Sequence, residues 1–192
     1  MRDLDIRRAL YAEMQRCHGS DPETRVVDEL GLCQGTARID VAVVNGSVHG
    51  YEIKSEHDTL ARLPSQTDVY NRALDFVTIV TARSHAKKAK AFIPKWWGVL
   101  YATEANGLVE LKHVRRARRN PEVDPLAVAQ LLWREEALDA LQQHGLSAGM
   151  LSKPRLALWK RLATELSLDE LRAVVRRCLK QRRDWREPLQ PM

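Results

Sequence analysis

The sequence predicts an α/β fold: a mixed central β-sheet flanked by helices and followed by a small all-α C-terminal module. Three stretches predict it. Residues 37–55 (ARIDVAVVNGSVHGYEIKS) alternate apolar and polar residues on either side of Asn45-Gly46, as two paired strands do. Residues 76–81 (FVTIVT) form an unbroken, β-branched run, the pattern of a strand buried on both faces. After Asp124, leucines recur at helical spacing (Leu126, Leu131, Leu132, Leu138, Leu141). With 192 residues, 44% of them hydrophobic, the chain can build one good core, or a core plus a small appendage.

In chain order, Asp3 to Arg16 reads as a helix with Leu4, Leu10, Tyr11 and Met14 as its apolar side. Asp21-Pro22 has the form of an N-cap and first-turn proline, and predicts a second helix to about Leu30, ended by Gly31. The paired strands follow. Asp58 stands where it would cap a short helix from Thr59, which Pro64 interrupts, and a further helix runs from Ser65 to about Leu74. Then come the buried strand at 76–81, a short helix over Ser84 to Phe92, and strands over 98–103 and 108–114 separated by Asn106-Gly107. Trp96-Trp97, at a helix-to-strand junction, reads as partly buried against the sheet. The predicted order is α-α-β-β-α-β-α-β-β.

Arg115, Arg116, Arg118 and Arg119 precede Asn120-Pro121, and read either as phosphate contacts or as a solvated linker. The boundary falls near here, giving a domain over 1–119 and a basic helical module over 120–192. That module reads as a helix over 124–143, another over 152–166, and a last one opened by the capping box Ser167-Leu168-Asp169-Glu170. On the last helix Arg172, Arg176, Lys180 and Arg183 form one stripe, opposite Leu171, Val174, Val175 and Cys178.

Pairing register decides what the two central strands carry. A two-residue loop would put Asp40 and Glu52 on opposite faces. A three-residue loop, Asn45-Gly46-Ser47, pairs Val44 with Val48, sets Asp40 opposite Glu52 and Ala42 opposite Gly50, and gathers Ile39, Val41, Tyr51 and Ile53 into an apolar layer. Only this register separates apolar from charged residues, so it is the one predicted. Two facing carboxylates repel without a counter-charge. Either a divalent cation supplies it, magnesium or manganese being suited to hard oxygen ligands, or Arg38 and Lys54 bridge to the acids on a solvated face.

Net charge is +6, and it is uneven. Residues 152–186 hold eleven Lys or Arg against four Asp or Glu, a local +7 that leaves −1 for the rest. The basic tail suggests a surface that faces nucleic acid. Three cysteines, Cys17, Cys33 and Cys178, have no paired spacing, which argues against a disulfide scaffold or structural zinc and fits a reducing, cytoplasmic setting. The first residues are charged throughout, unlike a signal peptide, and no apolar run is long enough to span a membrane. Walker, GxGxxG, GxSxG, HExxH and CxxC motifs are absent.

Asp40 followed by Glu52-Ile53-Lys54 on the next strand resembles the core of the PD-(D/E)XK nuclease superfamily. Gln66 and Tyr70, spaced Q-x-x-x-Y, resemble the helix motif of its RecB-like branch. The run from Arg38 to Tyr70 is most similar to a poorly characterised family of small bacterial nuclease-like proteins. The resemblance implies a restriction-endonuclease-like fold and a metal-dependent deoxyribonuclease, with Asp40, Glu52, Lys54, Gln66 and Tyr70 as catalytic residues. It implies Mg2+ or Mn2+ held by Asp40 and Glu52, with Glu29, or else Glu23, as a further ligand. Arg172, Arg176, Lys180 and Arg183 are the candidates for nucleic-acid binding, DNA ahead of RNA, and the C-terminal helices for a homodimer or protein contact. A non-catalytic nucleic-acid-binding or regulatory protein on the same fold is the alternative. Endo- versus exonuclease action and strand preference stay open.

Overall fold

A computed structural model describes residues 1–182. Its centre is a six-stranded mixed sheet in the spatial order β1-β2-β3-β4-β5-β6. The strands are β1 (Arg25–Leu32), β2 (Ala37–Val44), β3 (Val48–Lys54), β4 (Phe76–Ala82), β5 (Gly98–Ala105) and β6 (Leu108–Arg115). The first three pair antiparallel; β3, β4 and β5 run parallel; β6 closes the far edge antiparallel. Parallel pairing requires crossovers, and α2 (Leu63–Ala73) and α3 (Ala86–Phe92) supply them.

One face of the sheet carries α1 (Asp3–His18). Ile6, Leu10, Tyr11 and Met14 recur at helical spacing and pack on Val41, Val43, Ile53, Val80, Leu100 and Ala102. Leu4, expected on this apolar side, is exposed, and Ile6 takes its place. The other face carries α2 and α3 together with α4 (Pro125–Ala129), α5 (Arg134–Gln143), α6 (Arg155–Glu165) and α7 (Leu168–Gln181). A single apolar cluster runs from Val27 and Ile79 in the sheet to Leu141, Leu162 and Val175 in these last helices. Trp97 is fully buried in it, and its Nε1 donates to Asn71 Oδ1 at 2.8 Å. The capping box of α7 is present, with Ser167 Oγ accepting from Glu170 N and Ser167 N donating to Glu170 Oε2.

The helix expected over Asp21 to Leu30 is instead a turn followed by β1. Asp21 does cap, but it caps the turn, accepting from Glu23 N at 2.9 Å and Thr24 Oγ1 at 2.6 Å. The short helix expected from Thr59 is irregular chain, because Asp58 accepts from Ser55 N at 2.7 Å and Ser55 Oγ at 2.6 Å and closes a turn there. The helix expected over 124–143 is broken into α4 and α5 at residues 130–133, where Trp133 is extended and forms a new N-cap.

The β2–β3 register is that of the three-residue loop: Val44 pairs with Val48, Ala42 with Gly50 and Val41 with Tyr51. The expected apolar layer is not continuous. Ile39, Ala42 and Val44 face α2, whereas Val41, Val43 and Ile53 face α1, so the side-chain alternation slips across Asp40. A matching slip in β1 puts Val27 and Leu30 on one face, with Glu29 between them at φ 54°. A non-glycine residue in the left-handed region is a local irregularity that the surrounding pairing must hold in place. Gly50 is needed nearby, since a Cβ there would meet Leu74 at 2.6 Å and Ile39 at 2.9 Å.

Candidate functional site

The pleat slip leaves a cleft of about 470 Å3 at this end of the sheet, lined by Glu29, Arg38, Asp40, Glu52, Lys54 and Gln66 among others. Glu52 and Lys54 lie on one face of β3, as period-two spacing requires. Both are buried, at 1% and 5% exposed. Lys54 Nζ donates to Glu52 Oε1 at 2.5 Å. Gln66 Nε2 donates to the same oxygen at 2.7 Å and to Tyr70 Oη at 3.1 Å. Tyr70, fully buried on α2, places its hydroxyl 2.7 Å from Glu52 Oε2 and 2.7 Å from the Arg38 carbonyl. Gln66 and Tyr70 are i and i+4 on one helix face, which lets both reach one carboxylate. Burial and the Glu52 charge push the Tyr70 phenol far above its usual value, so it serves as a donor.

Asp40 sits where the β2–β3 ladder ends. Its Oδ2 accepts from Ile53 N at 2.7 Å, and its Oδ1 lies 3.4 Å from Arg7 Nη2. The carboxylate therefore fills the gap between the strands instead of standing beside Glu52 on a clean face. Burial, then the charge of Glu52, pushes the Asp40 pKa up to about 7. Arg7 projects from α1 into a ring of acids, 3.0 Å from Asp28, 3.4 Å from Glu29 and 3.5 Å from Asp3. Tyr11 also donates to Asp28. Burial works against the Arg7 charge, but Asp40, Asp3, Asp28 and Glu29 more than offset it, and its pKa is raised. Sequence reasoning missed Arg7 altogether. The signal was present as Asp3, Arg7 and Tyr11 at successive i+4 steps beside the apolar stripe of α1.

The structure thus brings Glu29, Asp40, Glu52, Lys54, Gln66 and Tyr70 to one place, and gives each carboxylate a protein counter-charge. Glu23 is elsewhere, 2.7 Å from Lys180. Among the described residues, no three His, Cys, Asp or Glu side chains are grouped as a metal-ligand set. Asp40 and Glu52 accept from Ile53 N–H, Arg7, Lys54, Gln66 and Tyr70, so protein groups already supply the counter-charge that a divalent cation was expected to bring.

The expected basic stripe is divided. Arg172 is buried, with Nε 2.7 Å from Asp75 Oδ1, and joins α7 to the end of α2. Lys180 is committed to Glu23, and Arg176 is half-buried at a depression shared with the Asn45-Gly46 turn. Arg183 lies outside the described residues. The segment after β6 is a pinned strap, not a loose linker. Arg115 Nε donates to the Trp97 carbonyl at 2.7 Å and Nη2 to the Pro94 carbonyl at 3.0 Å. Arg118 N donates to the Trp96 carbonyl at 2.7 Å. Asn120, 4% exposed, ties off the end by donating from Nδ2 to the carbonyls of Asn71 and Leu74. Among the described residues, Arg115, Arg116 and Arg118 have no carboxylate within ion-pair distance, and Arg119 reaches Asp169 only at 4.0 Å.

The family model described as bacteriophage P4 protein cII matches residues 4–187. The chain belongs to that family. Protein cII of Enterobacteria phage P4 is 26% identical over 183 residues, which is 95% of this chain and 68% of that protein. No solved structure matches the chain. The match runs through both the sheet and the C-terminal helices, and it overturns the assignment to the PD-(D/E)XK nuclease superfamily. With that assignment go the expected deoxyribonuclease activity and the description of the chain as a magnesium-dependent hydrolase or endonuclease. The short D…E-x-K and Q-x-x-x-Y patterns misled because a buried ion-pair network needs the same residue types at the same spacings. Among the described residues, no helix is long and apolar enough to cross a membrane.

Proposed function

We propose that this member of the phage P4 cII family is a non-catalytic regulatory protein that binds nucleic acid. The observation that carries the non-catalytic part is the closure of the Glu52 network. Lys54, the residue on which phosphodiester chemistry would depend, is 5% exposed and bonded to Glu52, whose remaining lone pairs take Gln66 and Tyr70. A buried ion pair hydrogen-bonded to its neighbours fixes geometry, here joining β3 to α2, and presents little charge outward. The nucleic-acid part is supported by the net +6 and by the arginine strap after β6, where, among the described residues, Arg115, Arg116 and Arg118 face no carboxylate. The scaffold is a mixed sheet with an antiparallel β1–β2–β3 end and a parallel β3–β4–β5 centre. Among the described residues, 120–182 pack with 1–119 through one shared apolar cluster.

Titration of labelled single- and double-stranded DNA with the full chain, read by fluorescence anisotropy over a salt series, tests this. Binding is expected, weakening with salt by roughly 0.7–0.9 logarithmic units per phosphate contacted. The DNA should remain intact with Mg2+ or Mn2+ present, and calorimetric titration with either ion should show no specific heat. Absence of binding at low salt, or metal-dependent cleavage, would sink the proposal.

A further inference from the structure

Helix α1 leaves part of its sheet face uncovered. Beyond it, the first residues of β3 and β4 and the end of β6 surround a groove of about 560 Å3, lined by His49, Tyr51, Phe76, Thr78, Arg115 and Arg116 among others. Its floor is aromatic. His49 and Tyr51, two apart on β3 and so on one face, stack with ring centroids 4.3 Å apart and planes 23° from parallel. Phe76, the β4 partner of His49, continues the surface at 5.6 Å. The imidazole is held in place by its Nε2, 2.8 Å from Thr78 Oγ1. Burial pushes the His49 pKa down to about 4, so this floor is uncharged at neutral pH.

The wall of the groove is basic, and it is preorganised. Ala117 crosses directly over Gly98, where a Cβ would meet Ala117 N at 3.0 Å and Thr78 Oγ1 at 2.4 Å. Glycine is what allows the strap to close down on the sheet. Arg115 spends Nε and Nη2 on carbonyls, which cancel none of its charge, and Arg116 is exposed. His113 stands at the rim, 3.4 Å from Glu13. An uncharged aromatic floor beside two guanidinium groups that, among the described residues, have no carboxylate partner matches one chemistry well: a nucleobase flanked by phosphates. An acidic peptide would meet the arginines but offer nothing flat to the floor. A duplex would present its phosphates, with its base faces already stacked on one another.

We propose that this groove binds single-stranded nucleic acid, with an unstacked base against His49, Tyr51 and Phe76 and the flanking phosphates on Arg115 and Arg116. The proposal rests on the nucleic-acid-binding function above and adds to it the place and the form of the strand. The test is photocrosslinking of the full chain to an oligothymidine carrying 4-thiothymidine, with the adducts mapped by mass spectrometry. It is run beside anisotropy titrations of the wild type, Arg116→Glu and, as a matched control on the α7 side, Arg176→Glu. Both variants are checked for folding by circular dichroism.

Crosslinks are expected on the peptides carrying Tyr51 and Phe76. Arg116→Glu should weaken oligothymidine binding by about tenfold and lower the salt slope by about 0.7. Arg176→Glu should change affinity less than about threefold, and an unlabelled duplex or polyglutamate should compete poorly. Crosslinks confined to the Arg176–Lys180 side, with Arg116→Glu unchanged, would overturn the groove and leave nucleic-acid binding standing. Equal competition by duplex or polyglutamate would overturn the single-strand assignment. Failure of every oligonucleotide to bind would remove the groove and the function together.

Discussion

Two polar regions lie on the sheet, and they handle charge in opposite ways. In the cleft where β2 and β3 part, acids and bases are interleaved: Lys54 on Glu52, Arg7 among Asp3, Asp28, Glu29 and Asp40. Along the strap after β6, Arg115 is anchored to backbone carbonyls, which fix its position without neutralising it, and Arg116 beside it is exposed. Residue type alone does not separate a site that holds the protein together from one that attracts a ligand. The partner does, because a charge paired in a buried place acts inward and a charge pinned by neutral groups acts outward.

The sharpest way to break this contrast is to remove one member of the buried pair. Glu52→Leu leaves the Lys54 ammonium buried without its counter-charge, and should cost about 3–5 kcal/mol, read from denaturant midpoints. Arg116→Ala on the strap should stay within about 0.5 kcal/mol. Equal effects at the two sites would erase the distinction.

A smaller effect comes from Asp40. Its folded-state pKa of about 7 lies above the unfolded value near ~4, so the folded protein holds a proton that the unfolded chain sheds in between. Stability should therefore fall as pH rises from about 4 to 7 and level off above that. Asp40→Asn should flatten the slope. A wild-type profile that rises through the same window would mean that Arg7 and Ile53 N–H, not burial, govern this carboxylate.

Tyr70→Phe is the smallest of the three, about 1–2 kcal/mol, because the ring stays buried and what is lost is the hydroxyl with its contacts to Glu52, the Arg38 carbonyl and Gln66. A loss several times larger would show that the hydroxyl organises the whole network.

Much of the sheet was legible in the sequence because each of its signals was local. Asn45-Gly46-Ser47 and the alternation on either side set the β2–β3 register, the run at 76–81 marked the central strand, and Ser167 with Glu170 marked the start of α7. Strand β1 was not legible. Glu29, in the left-handed region, breaks its alternation, so Val27 and Leu30 fall three apart on the buried face and imitate a helix. The convergence of Asp40, Glu52, Lys54, Gln66 and Tyr70 could be read, but its meaning could not. The spacing of the motif contains neither Arg7, brought in from α1, nor the burial of Lys54. The environment of the stripe on α7 was hidden for a related reason. Arg172 looks exposed on a helical wheel, yet α7 lies against the end of α2, where Asp75 is waiting for it.

The most direct test of the account is the DNA affinity of the chain carrying Glu52→Gln together with Lys54→Met, which removes both charges of the buried pair and leaves no charge behind. After circular dichroism shows the double variant folded, its anisotropy titration against single-stranded DNA should give an affinity and salt slope within about twofold of wild type. A loss of affinity greater than about tenfold would contradict the account, and would show that the Glu52–Lys54 pair faces the ligand.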